Sequence, residues 1–122
     1  MSDPDRQAAI ETLQKYNQQF SAIIVLTGDK PSLSKAEKEQ AREMLRQLKD
    51  DLKRDCRELE IRDRKGELNH IERTCLEPAL RKAEANIATR VNSTPGRLWS
   101  TDLYGARIDI TWMLHQLEHP KK

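Results

Sequence analysis

The stretch "SKAEKEQAREMLRQLKDDLKRDCRELEIRDRKG", residues 34–66, decides the architecture. Ser34 and Glu37 match a capping box, in which each side chain accepts from the other residue's free backbone N–H. Ala41, Leu45, Leu48, Leu52, Cys56 and Leu59 then recur at steps of three and four, the period of an amphipathic helix. Gly66 stops it. The spacing predicts a helix over 35–65, about 30 residues and roughly 45 Å long at 1.5 Å per residue. A single apolar stripe of that length has to be covered by other helices.

The flanking segments supply them. Upstream, Ser2 or Asp3 can cap a helix with Pro4 at its first position, where proline is tolerated. Ile10, Leu13, Asn17, Phe20, Ile24 and Thr27 make its seam and Gly28 its stop, so a helix is expected over 4–27. The run "AIIVL", residues 22–26, is apolar on every side and admits a short strand. With no second strand candidate to pair with it, a buried helix end is the expected form. Downstream, Asn69 can cap a helix over 70–92 with Ile71, Cys75 or Leu76, Leu80, Ala83, Ile87 and Val91 as its seam. Pro78 clashes with the carbonyl four residues back. Either that helix kinks near Thr74, or it starts there with Thr74 and Glu77 as a second capping box. The last helix is expected over 101–118, after Ser100, with Trp99 and Tyr104 as a hydrophobic staple, Leu103, Ala106, Ile110, Met113 and Leu117 as its seam, and Pro120 as its end.

Turn residues cluster in "TGDKPSLS", "RKGELN" and "NSTPGRLWS", which divide the chain into these four segments. Short connections make antiparallel neighbours, so the expected fold is all-α: one elongated domain over 1–122, an up-down-up-down four-helix bundle with a long central hairpin turning at Gly66. Length and composition agree. A chain of 122 residues, 36% hydrophobic and 34% charged with only one Phe, two Trp and two Tyr, suits a narrow aliphatic seam between long helices. The 22 Lys and Arg against 20 Asp and Glu leave a net charge of +2, too little to argue for nucleic acid on bulk charge. No basic-then-apolar leader and no apolar run approaching about 18 residues is present, so a cytoplasmic protein without membrane segments is expected. Cys56 and Cys75 are then expected as free thiols packed as small hydrophobes.

Three constellations bear on function. The last helix carries Tyr104, Ile108, Trp112 and His115 on a second face beside its seam, leaving mainly Asp102, Gly105, Asp109 and Gln116 to meet water. A helix apolar on two faces lies in an interface, unless the apolar end of the first helix wraps around it. On the long helix, Lys38, Arg42, Arg46, Lys49, Lys53 and Arg57 fall within about a 100° arc, a basic ridge able to track phosphates. No aromatic interleaves it for stacking on bases, and acid-to-base pairs Asp50–Arg54, Glu58–Arg62 and Glu60–Arg64 read as helix support. The third constellation is "HQLEH", residues 115–119, which matches the H-x-x-E-H of a class of zinc peptidases. The further ligand such enzymes need downstream has no candidate in the three residues that follow. The up-down path instead places His115, His119, His70, Cys56 and Cys75 at one end of the bundle. Heights agree but directions need not, and no metal site is expected.

Asp51, Asp55 and Glu58 share a face of the long helix and, with Glu60, Asp63 and Glu72, could hold magnesium. Each has a basic neighbour one turn away, the pattern of a solvated face, and no glycine-rich phosphate loop or nucleophile motif accompanies them. The expectation is a non-enzymatic interaction module without cofactors, homodimeric or bound to a protein partner through the last helix. A nucleic-acid-binding or accessory regulatory role through the ridge is the alternative.

Overall fold

The structure, a computed structural model, describes residues 3–28, 32–91, 95 and 98–119. The described residues are all-helical, with no strand: α1 (Pro4–Gly28), α2 (Lys35–Arg64), α3 (Glu77–Arg90), α4 (Leu98–Ala106) and α5 (Ile108–Glu118), with a π-helical turn over Glu72–Leu76 leading into α3. The "AIIVL" run is helical, as expected.

Asp3 caps α1, its carboxylate accepting from the Asp5 N–H at 2.9 Å; Ser2 lies outside the described residues. The capping box at Ser34 and Glu37 closes the start of α2 in both directions, at 3.2 and 2.9 Å. At its far end, the Glu67 N–H donates to the Arg62 carbonyl (2.8 Å) and the Gly66 N–H to the Asp63 carbonyl (2.9 Å). That pair of bonds is a Schellman motif, and it requires the left-handed backbone that Gly66 adopts at φ +70°. Leu68 then tucks into the core and the chain reverses.

The start at Thr74, one of the two expected responses to Pro78, does not occur; the irregularity falls around Thr74, as a π-helical turn. Asn69 and Glu72 form a reciprocal cap, the Glu72 N–H donating to Asn69 Oδ1 (2.7 Å) and the Asn69 N–H to Glu72 Oε1 (3.1 Å). Helix starts at His70, and the chain accommodates the proline by widening one turn, so that the Glu77 N–H reaches back five residues to the Glu72 carbonyl. Pro78 thereby sits in the first turn of α3, where no donor is needed. Thr74 does not cap; its hydroxyl donates to the His70 carbonyl at 2.7 Å.

Helix starts at Leu98 rather than after Ser100, because Trp99 is a core residue at 1% exposure that the first turn of α4 carries inward. Tyr104 points outward at 60% exposure, so the two cannot staple. Arg107 separates α4 from α5 but keeps near-helical angles (φ −76°, ψ −16°), and its carbonyl accepts from both Ile110 and Thr111. The two helices therefore share one buried stripe: Trp99, Leu103, Ala106, Ile110, Leu114 and Leu117, with Leu114 in the place expected for Met113.

α1 packs against α2, α4, α5 and the π-helical turn, while α3 packs against α2, α4 and α5. Buried side chains from every helix join in one core. It is not purely aliphatic, since Tyr16, Phe20 and Trp99 are its largest fully buried members. On α1, Tyr16 and Ile23 take the buried places expected for Asn17 and Ile24. Close approach is needed where α1 meets α4: a Cβ on Gly28 would lie 3.1 Å from the Ser100 side chain.

A Cβ on Gly66 would meet no atom within 4 Å, so Gly66→Ala isolates the backbone term. It should destabilise the fold by about 1–2 kcal/mol, and Gly66→Asn by less, with the urea m-value unchanged.

Candidate interaction surface

The α4–α5 unit presents its apolar second face to solvent. Tyr104, Ile108 and Trp112 are 60%, 57% and 62% exposed, and His115 and His119 are exposed beyond them. The structure thus brings the expected set Tyr104, Ile108, Trp112 and His115 onto one strip, within about 80° of arc at 100° per residue, opposite the buried stripe. The apolar end of α1 does not cover it. Ile23 enters the core, Ile24 and Leu26 are half-buried against it, and Val25 is itself 57% exposed.

The polar residues expected to face water lie instead on the flanks, between helices. Asp109 is half-buried and accepts from Asn86 Nδ2 of α3 at 3.0 Å. Gly105 is half-buried too, and a Cβ there would stand 3.2 Å from the Arg90 guanidinium. Asp102 is also partly covered, so of the four only Gln116 is exposed. On the other flank Arg107 donates to Ser21 Oγ of α1 (2.8 Å) while its guanidinium lies 4.9 Å from the Tyr104 ring centre. That cation–π contact holds one edge of the exposed strip in place.

The basic ridge on α2 forms as drawn from the sequence, with Lys38, Arg42, Arg46, Lys53 and Arg57 exposed and Lys49 half-buried. Arg46 is engaged by Glu43 and, at 3.3 Å, by Asp50. Among the described residues the other five make no ion pair. Toward its C-terminal end the ridge borders an open groove of about 510 Å³ between α2 and α3, where Lys53 and Arg57 share the walls with Glu77 and Glu84. Anions meet both signs of charge there.

Of the expected acid–base pairs only Glu60–Arg64 forms, at 2.6 Å. Arg54 turns to Asp51 and Asp55, and Arg62 leaves its own helix to grip Glu72 through two parallel bonds of 2.8 and 2.9 Å. The supposed solvated acidic face is therefore partly a helix junction. Asp51 is 6% exposed and accepts from Gln19 of α1 (2.9 Å), Gln47 (2.9 Å) and Arg54 (3.2 Å). The fully buried Tyr16 directs its hydroxyl to the Asp51 carbonyl at 2.8 Å and to the Asp55 carboxylate. Burial, reinforced by the Asp55 charge, raises the phenol far above its ordinary value and keeps it a donor. Tyr16 escaped the sequence reading because it stands one place from Asn17, and either fits the seam. The larger apolar body of the tyrosine was the available signal.

The five metal-ligand candidates do not converge. Among the described residues no three His, Cys, Asp or Glu side chains are placed to hold one ion. Cys56 and Cys75 are half-buried rather than buried. The Cys56 thiol is pushed up to about 12, by burial first and then by the charge and hydrogen bond of Glu84. Glu84 of α3 lines the same groove as Cys56. His115 and His119 keep to their own helix end, with ring centres 4.7 Å apart. No helix among the described residues is long and apolar enough to cross a membrane. No protein family, curated protein or solved structure matches this chain.

Two carboxylates carry a pH dependence. The Gln19 amide holds Asp51 below its ordinary value against the upward push of burial, with Gln47 and Arg54 assisting. Burial pushes Glu72 up, but the Arg62 fork and the Asn69 N–H outweigh it and the net shift is downward. Groups depressed in the folded state stabilise it fully above the ordinary carboxylate range, about pH 4, and lose that contribution as pH falls through their folded values. Asp51→Asn and Glu72→Gln should each lower the urea midpoint at neutral pH and make its decline on acidification shallower. Tyr16→Phe removes the buried hydroxyl that joins α1 to the Asp51 carbonyl and the Asp55 carboxylate and should cost about 1–3 kcal/mol, measured the same way.

Proposed function

We propose that this protein is a non-enzymatic, cytoplasmic interaction module, an elongated up-down-up-down four-helix bundle in which α4 and α5 act as the fourth helix, and that it self-associates through the outer face of that helix. The contacts support the topology. Ser21 meets Arg107 while Gly28 meets Ser100, Arg62 meets Glu72 while Cys56 meets Glu84, and Asn86 meets Asp109 while Gly105 meets Arg90. In each pair of helices, residue numbers rise on one as they fall on the other.

The observation that carries the functional reading is the exposure of Tyr104, Ile108 and Trp112 on the side of α4–α5 opposite its core contacts. Aromatic and aliphatic anchors of this kind supply most of the energy of interfaces. A second copy is the occupant that fits. The strip holds no acidic side chain, its nearest cation is held by Ser21 and Tyr104, and a net charge of +2 per chain opposes association little. An antiparallel two-fold pairing at the level of Ile110 sets Ile108 against Trp112 of the partner subunit and repeats the contact by symmetry. The ridge on α2 would remain outside and steer an acidic protein partner. Nucleic acid is the second reading, favoured by the five ridge cations that have no ion pair among the described residues.

Light scattering should give twice the 14.2 kDa chain mass, and Trp112→Glu should return a folded monomer with unchanged helical circular dichroism. A wild-type monomer at high concentration would reject self-association. For the second reading, DNA or RNA binding should weaken steeply with salt and disappear in Lys49→Glu/Lys53→Glu; no binding at about 50 mM salt rejects it.

A further inference from the structure

"HQLEH" retains one feature that the interaction reading does not use. His115 and His119 stand at i and i+4 at the end of α5, their ring centres 4.7 Å apart and their planes inclined by 42°. Both are exposed, and neither ring makes a hydrogen bond or ion pair among the described residues, so each keeps a nitrogen lone pair available to solvent. We propose that His115 and His119 form a two-imidazole chelate for a borderline divalent transition-metal ion such as nickel(II), copper(II) or zinc(II). Two nitrogens bound side by side at about 2.0–2.1 Å from one ion stand roughly 3 Å apart, a spacing within reach of rings already this close. Exposure leaves both side chains free to make the small rotation required.

The position favours a cation for a second, independent reason. The C-terminal end of a helix carries partial negative charge from its unpaired carbonyls, which attracts positive charge. His119 is the C-cap of α5, its N–H donating to the His115 carbonyl at 2.9 Å, so the bound ion would sit over that end. Oxygen-seeking magnesium and calcium have little affinity for imidazole. With only two protein ligands the remaining coordination positions stay open to water or to a donor from another molecule. Such a site takes up metal reversibly; it is distinct from a closed structural zinc centre.

The chelate needs only one chain, but His115 lies on the strip proposed for self-association; titrating nickel(II) into the wild-type chain and into Ile108→Glu, a strip variant whose new carboxylate stands two turns from His115, keeps the two questions apart. Calorimetry on the full chain, without a histidine tag, should find one nickel(II) per chain in both proteins and no magnesium binding. His115→Ala and His119→Ala should each weaken binding by at least about tenfold, because a chelate gains from the effective concentration of its second ligand. His70→Ala should leave it unchanged. All three histidines are at least partly exposed, so these variants test ligation without emptying the core. The protonated Cys56 thiol is a poor competitor, and Cys56→Ser should bind nickel(II) as the wild type does. Stoichiometric binding that survives His115→Ala/His119→Ala, single variants that bind as tightly as the wild type, or no binding at about 1 mM nickel(II) would each overturn the proposal.

Discussion

The hydroxyl of Tyr16 has to be satisfied inside the protein, and the placement of α1 follows from that. A phenol with 0% exposure and no hydrogen bond would cost about 1–3 kcal/mol. Its acceptors are the Asp51 carbonyl and the Asp55 carboxylate, both on α2. Gln19, one turn further along α1, bonds the Asp51 side chain, so two successive turns of α1 are fixed against one stretch of α2. Apolar contacts alone would tolerate sliding by a helical step; directional bonds to particular atoms do not. Since α1 also touches α4, α5 and the turn before α3, its register passes to the rest of the core.

The opposite end is held by a second polar device built around an awkward residue. Pro78 cannot donate within a helix, and the widened turn over Glu72–Leu76 accommodates it. That turn begins at Glu72, whose carboxylate accepts from the Asn69 N–H as a cap and from Arg62 across the hairpin. One side chain therefore starts the third helical segment and ties it to α2. The Schellman turn at Gly66 brings the two within reach, and the Arg62–Glu72 fork keeps them there.

The long helix and its hairpin were legible because their signals are local. A capping box, an unbroken seam and a glycine stop lie in consecutive residues, and each depends only on its neighbours in the chain. The apolar strip on the last helix and the basic ridge were legible for the same reason, as periodic patterns on one helix. What escaped depends on other helices. Choosing Tyr16 over Asn17 requires knowing that Asp51 and Asp55 stand opposite, and the side-chain carbonyl of Asn17 is in fact buried without a hydrogen-bond partner among the described residues. The inward turn of Asp109 requires Asn86, and the start of α4 at Leu98 requires the pocket that receives Trp99. Charge pairs spaced one turn apart were the poorest guide, because Arg54 and Arg62 each found a better-placed partner than the expected one.

The last helical unit inverts the usual distribution, and its neighbours explain how. Asp109 and Arg107, which could have faced water, are drawn to the flanks by Asn86 on α3 and Ser21 on α1. Those bonds fix the rotation of α5 about its own axis and so determine which side chains are left outside. Burying Trp112, which faces away from the core, would take a rotation of more than about 100° and would break the flank bonds and expose core leucines. The polar flanks therefore hold the apolar strip in solvent, where Tyr104, already braced by Arg107, needs little further ordering on contact. Side chains fixed before association lose less entropy when an interface closes. The same exposure leaves apolar surface in water, a cost that the self-association proposed above would remove.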